Sequence, residues 1–152
     1  MLSSGEIAIA QSLPRVGTLS IRNDTMSAFA GLDDLTPLRI WDGVVARAVT
    51  GERTTFAIVE LDAGSSVPEH RHQNEQIGVC VAGSIRFRIG DETRDVVPGD
   101  TWCIPGDVPH QVDAGPDGAL IAECFTPARA DWAGLERLPG RPAPRWPETS
   151  KS

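Results

Sequence analysis

The sequence predicts an all-β, single-domain fold of the barrel or sandwich type. Its 152 residues suffice for one domain with a real core, removing about 70% of the unfolded chain's surface. Fifteen Gly and twelve Pro break the chain too often for a helix bundle. The apolar runs between those breaks are short, and turn signals bound them, as in a closed antiparallel sheet.

Taken in order, residues 1–38 are mixed and polar, with a short helix expected near Met26 to Leu35 that Pro37 ends. Such an arm adds an edge strand or clasps a partner subunit. Strands are then expected at 40–49, 54–61, 76–81, 84–89, 93–96, 101–104, 111–112 and 119–125. The turns between them include Ala82-Gly83, Pro98-Gly99-Asp100, Pro105-Gly106-Asp107 and Gly115-Pro116-Asp117-Gly118. Thr126 can cap and Pro127 can open a short helix through Leu138. Pro142, Pro144 and Pro147 then predict a tail that is extended or lacks fixed structure, with Trp146 docking it on the barrel. The expected organisation is an arm at 1–38, a barrel at 39–127, and a short helix with a Pro-rich tail at 128–152.

A formal charge of −7 without any basic run argues against nucleic acid and anionic membranes as partners. Residues 1–20 contain neither a basic n-region nor an apolar h-region, and no stretch approaches about 18 apolar residues. The expectation is therefore a soluble cytoplasmic protein. Cys80, Cys103 and Cys124 are odd in number and widely spaced, which fits neither a disulfide framework nor CxxC chemistry. Cys80 and Cys103 are either small core residues or neighbours of a site.

The chemistry concentrates in two stretches. The chain has three His, and they are His70, His72 and His110. His70 and His72 stand two apart, so on an extended strand they share a face. Gln76 keeps that parity if no bulge intervenes. Two imidazoles from one strand and a third from another make an open, partial coordination sphere for a metal ion.

These stretches resemble the cupin superfamily. Its first motif, G-x5-H-x-H-x3,4-E-x6-G, is met by Gly64, His70, His72, Gln76 and Gly83. Its second, G-x5-P-x-G-x2-H-x3-N, is met at Gly99, Pro105 and His110, while Asp107 takes a Gly place and Ala114 the Asn place. The resemblance implies a jelly-roll barrel with a metal inside, held by His70, His72, His110 and Gln76. Glu75 is the rival fourth ligand, but a one-residue shift turns a strand side chain to the other face, and Gln76 stands at the motif position. Within the superfamily, the run from Glu123 through Thr126 and Pro127 to Arg129 is similar to the "D-V-F-S-P-x-R" ending of pectin-degradation cupins. That likeness implies linearisation of unsaturated uronates, with Glu123 and Arg129 at the acidic and basic positions. Glu replaces the preferred Asp, which moves the carboxylate by a methylene.

Three neutral imidazoles and an amide leave a dication's charge uncompensated, so the site would be a strong Lewis acid and anion attractor. Zn, Ni, Fe, Mn and Co all accept this donor set. Glu123 alternates with Ile121 and Phe125 and so faces the interior, where it serves as a general acid/base or pairs with Arg129. Arg129 clamps a substrate carboxylate or caps the final helix. Arg86 and Arg88 read as a solvated strand face.

Gly78, Cys80 and Ala82 leave room beside the metal, while Ile77, Val79 and Val81 face outward and need cover, hence an expected homodimer. Trp41, Trp102 and Trp132 read as core or pocket wall. The reading is a metal-dependent isomerase-type enzyme acting on a small anionic, uronate-like molecule. Its alternatives are a polyketide-cyclase-like or dioxygenase cupin acting on an aromatic substrate, and a non-catalytic metabolite-binding cupin.

Overall fold

The computed structural model describes residues 28–140 and 143–147. Eight strands follow in chain order: β1 Leu38–Trp41, β2 Val44–Thr50, β3 Thr55–Leu61, β4 Ser66–His70, β5 Glu75–Ile89, β6 Glu92–Val96, β7 Thr101–Ile104 and β8 His110–Thr126. They form one antiparallel sheet in the order β1-β2-β3-β8-β5-β6, with β4 joined to β8 and β7 to β5. The sheet rolls on itself into an all-β barrel.

Two long strands make the rolling possible. β5 and β8 pair along their whole length, from Glu75 opposite Thr126 to Ile89 opposite His110. One end of β8 also pairs with β3 and the other with β4. The turns expected at Ala82-Gly83 and Gly115–Gly118 are instead bends inside these strands. The pairing register shifts there, between Cys80 and Ala82 and again between Gly83 and Ile85. Gly83 and Gly118 have φ of 71° and 73°, a region where side chains are disfavoured. A Cβ on Gly83 would lie 2.0 Å from the Gly118 carbonyl oxygen. The backbones touch at the corner, so the strands bend together and the ladder continues.

Side chains alternate as the pleat requires. Val44, Ala46, Ala57, Val59, Leu61, Ile85, Ile104 and Ile121 fill the interior. The opposite face carries a cross-strand row in register, Val49–Phe56–Cys124–Ile77–Cys103. Val49, Phe56 and Ile77 in that row are 37%, 45% and 49% exposed.

The ends depart from expectation. Most of the predicted N-terminal arm lies outside the described residues, but 28–35 of the helix expected at 26–35 are described, and they hold one 3-10 turn, Leu32–Asp34, in place of a helix. After β8 a five-residue 3-10 segment, Ala130–Gly134, replaces a helix reaching Leu138. Trp146 stays 41% exposed, and Arg145 fastens this end by pairing with Glu60 and Asp62.

Candidate metal centre

His70 ends β4 and His110 begins β8, and the two are directly paired across the ladder. His72 is not on a strand. β4 stops at His70 and β5 starts at Glu75, so the predicted shared strand face is not what aligns the two rings. A loop-to-loop bond does that work: the Asp107 N–H donates to the His72 carbonyl at 2.8 Å. Asp107 itself has φ of 65°, a conformation that Asp tolerates better than most residues. Asp can therefore stand where the motif has Gly. Gln76 returns to the inward face at the start of β5, buried, while Glu75 points out to solvent.

The three rings converge, with centroids 4.2 Å apart for His70–His110, 5.0 Å for His72–His110 and 5.8 Å for His70–His72. One nitrogen from each lies within 4.8 Å of the others, forming the histidine cluster that could hold a metal ion among the described residues. Each Nδ1 meets a backbone carbonyl: His70 at Pro68, 2.8 Å; His72 at Asn74, 2.9 Å; His110 at Val108, 2.9 Å. A carbonyl only accepts, so each Nδ1 carries the proton and each Nε2 presents a lone pair.

Two observations test whether a cation fits. The His110 Nε2 is fully buried without a hydrogen-bond partner. The His72 Nε2 faces the Gln76 Oε1 at 3.1 Å, and both atoms are acceptors in this tautomer. Buried acceptors that face each other are unfavourable unless something positive lies between them. The donor set therefore fits a divalent cation.

Burial holds the His70 and His72 pKa values below the ordinary range, and the nearby Arg129 charge adds to this. Burial, with the His70, His72 and Arg129 charges, lowers His110 to about 4. The rings are thus neutral, the form that ligates.

Glu123 lies on β8, 6% exposed, and its carboxylate accepts a hydrogen bond from the Gln76 Nε2. Burial pushes its pKa up to about 7, against the opposing pull of Gln76, the Trp102 indole and Arg129. The alternative pairing of Glu123 with Arg129 is not formed. The Arg129 Nε and Nη2 are taken by the two Asp131 oxygens at 3.0 and 2.9 Å. Its guanidinium carbon sits 5.0 Å from the Phe125 ring centre and 4.9 Å from that of Trp132. Arg129 thus lines the pocket, held between two aromatics, with Nη1 left over.

Other expectations need revision. A Cβ on Gly78 would meet the Trp102 ring at 2.5 Å, so the space at Gly78 belongs to an indole rather than to a ligand. Cys103 points outward and is exposed, while Cys80 is buried in the hydrophobic core. Arg86 and Arg88 do face outward, paired with Asp95 and Glu69.

Two contributors escaped the sequence reading. The Asn74 side-chain amide, 5% exposed, donates to the Pro127 carbonyl at 2.5 Å and ties the ligand loop to the Arg129 segment. Asp131 orients Arg129, while Trp41, expected as core or pocket wall, lines the pocket with its ring centre 5.0 Å from that of His70. The only signal for Asp131 was an acid two places from the Arg; nothing marked Asn74.

His70, His110, Gln76, Glu123 and Arg129 share one pocket with apolar walls, and its mouth is open to solvent. Residues 57–122 match the "Cupin domain" family. The fold is shared with an RmlC-like cupin from Shewanella frigidimarina NCIMB 400, at TM-score 0.65 and 20% identity over 70% of this chain and 96% of that one. Residues 57–122 are thus similar to a cupin domain, on a fold shared with a cupin.

The chain is also similar to pectin-degradation proteins. It is 28% identical over 104 residues to the "Pectin degradation protein KdgF" of Dickeya dadantii (strain 3937), covering 66% of this chain and 94% of that protein. It also matches the structure of KdgF from Halomonas sp. at TM-score 0.59 and 26% identity, over 62% of this chain and 88% of that one.

Proposed function

We propose that this chain is a metal-dependent enzyme of the isomerase or tautomerase type, acting on a small carboxylic acid that can enolise. The likeness to pectin-degradation proteins makes a uronate the first candidate and suits work in the cytoplasm. The observation that carries the reading is the convergence of Glu123 and Arg129 on the pocket that holds His70, Gln76 and His110.

In this reading His70, His72, His110 and Gln76 hold one divalent ion, with Zn, Ni, Fe, Mn and Co all compatible. When bound, the ion supplies Lewis acidity toward a carbonyl or hydroxyl oxygen. Arg129 binds the substrate carboxylate through Nη1, because Asp131 occupies its other nitrogens. Glu123 holds the proton that moves between carbon and oxygen. One C–H bond breaks as one O–H forms, and the substrate is neither oxidised nor reduced. The hydrocarbon walls keep bulk water away while this happens.

The test is incubation of the metal-loaded protein with an unsaturated monouronate, following loss of its ring alkene absorbance. Glu123→Gln should slow turnover by about 100-fold or more. Unchanged turnover in that variant removes the acid/base role, and inert wild-type protein removes the uronate.

We further infer that a second copy of the chain covers the outward row of Val49, Phe56 and Ile77, giving a homodimer.

A further inference from the structure

The geometry points to a substrate whose acid group rides on an apolar body: an α-keto acid, or its enol, bearing an aryl or branched alkyl group. A polyhydroxylated ring suits the pocket less well. The inference rests on the reading of Arg129 as the carboxylate's partner and of the histidine cluster as a metal site.

The walls decide it. Ile40, Trp41, Val59, Val112, Ile121 and Trp132 surround the pocket. Outside the site's own His, Gln76, Glu123 and Arg129, the lining side chains carry no polar group except the indole N–H of Trp41 and Trp132. The polar groups that are present are mostly engaged. The histidine Nδ1 atoms are bound to carbonyls, the Gln76 amide nitrogen to Glu123, and two Arg129 nitrogens to Asp131. Beyond the walls, the Thr55 Oγ1 already accepts the Arg129 backbone N–H at 3.0 Å.

What remains serves one carboxylate, at the Arg129 Nη1, and one further oxygen, at the histidine cluster, with few polar atoms besides: the Glu123 carboxyl and the Trp41 and Trp132 indoles. An α-keto acid has those two features side by side. Additional hydroxyls would be buried against hydrocarbon, and each one left without a partner costs about tenfold in affinity. A flat apolar body has the opposite preference, since Trp41 offers a ring to lie against. The reaction stays redox-neutral: in ketonisation the enol O–H breaks and a C–H forms at the adjacent carbon.

The experiment uses full-length, zinc-loaded protein titrated with phenylpyruvate and, separately, with D-galacturonate. Calorimetry and quenching of tryptophan fluorescence report binding without relying on turnover. Phenylpyruvate should bind at least tenfold more tightly and quench the pocket tryptophans. Equal or tighter binding of galacturonate overturns this inference while leaving the proposed reaction class intact. Failure of both acids to bind removes the carboxylate site itself.

Discussion

Replacing Glu123 with Gln should abolish a pH-dependent instability of the metal-free protein. The carboxyl is 6% exposed, and burial raises its pKa from 4.5 to about 7. Folding therefore tightens proton binding. Below the unfolded value the carboxyl is neutral in both states and carries no penalty. As pH climbs toward the folded value the unfolded chain ionises freely while the folded one resists, so stability falls, and the loss is complete above about pH 7. At 1.36 kcal/mol per unit, a shift of that size costs about 3 kcal/mol.

The histidines confound a single pH curve, because their lowered values destabilise the fold in acid. Subtracting wild type from variant removes that background. Urea denaturation of both chelator-treated proteins should give a difference that grows by about 3 kcal/mol in favour of the variant between about pH 5 and pH 8. A Gln at this place still accepts the Gln76 hydrogen bond, so any constant offset leaves the slope untouched. A difference that does not change with pH would refute the buried carboxyl, held without an ion-pair partner, at the heart of the site.

Two other perturbations probe the frame around it. Gly78→Ala drives a Cβ to 2.5 Å from the Trp102 ring and should cost about 1–3 kcal/mol by overpacking, with an altered near-ultraviolet circular dichroism signal; a neutral result would mean the indole lies elsewhere. Ile77→Glu places a charge in the exposed apolar row and should turn a dimer into a monomer in light scattering after gel filtration, whereas a wild-type monomer would remove the proposed interface.

The barrel was legible because its signals are local: Gly and Pro punctuation, short apolar runs, and an inward parity that placed Gln76, Glu123 and Phe125 correctly. Local signals also misled. Ala82-Gly83 and Gly115–Gly118 carry turn chemistry, yet two backbones in contact convert both into bends, and no single stretch encodes that contact. The histidines were found by type and spacing, but the reason given for their alignment was incomplete. His72 is placed by a bond from Asp107, 35 residues downstream. Asn74 and Asp131 escaped notice because their value lies in partners that only the fold brings near. Gly78 misled for the same reason, since small size marks space without saying which group fills it.

The central claim is that three imidazole nitrogens share one cation, and metal stoichiometry tests it most directly. Zinc-repleted full-length protein, passed through gel filtration and assayed by elemental mass spectrometry, should retain about one ion per chain. His72→Ala and His110→Ala should each lower affinity enough to lose the ion on the column. Wild-type protein that retains no metal after repletion would contradict the account, and so would variants that hold as much as the wild type.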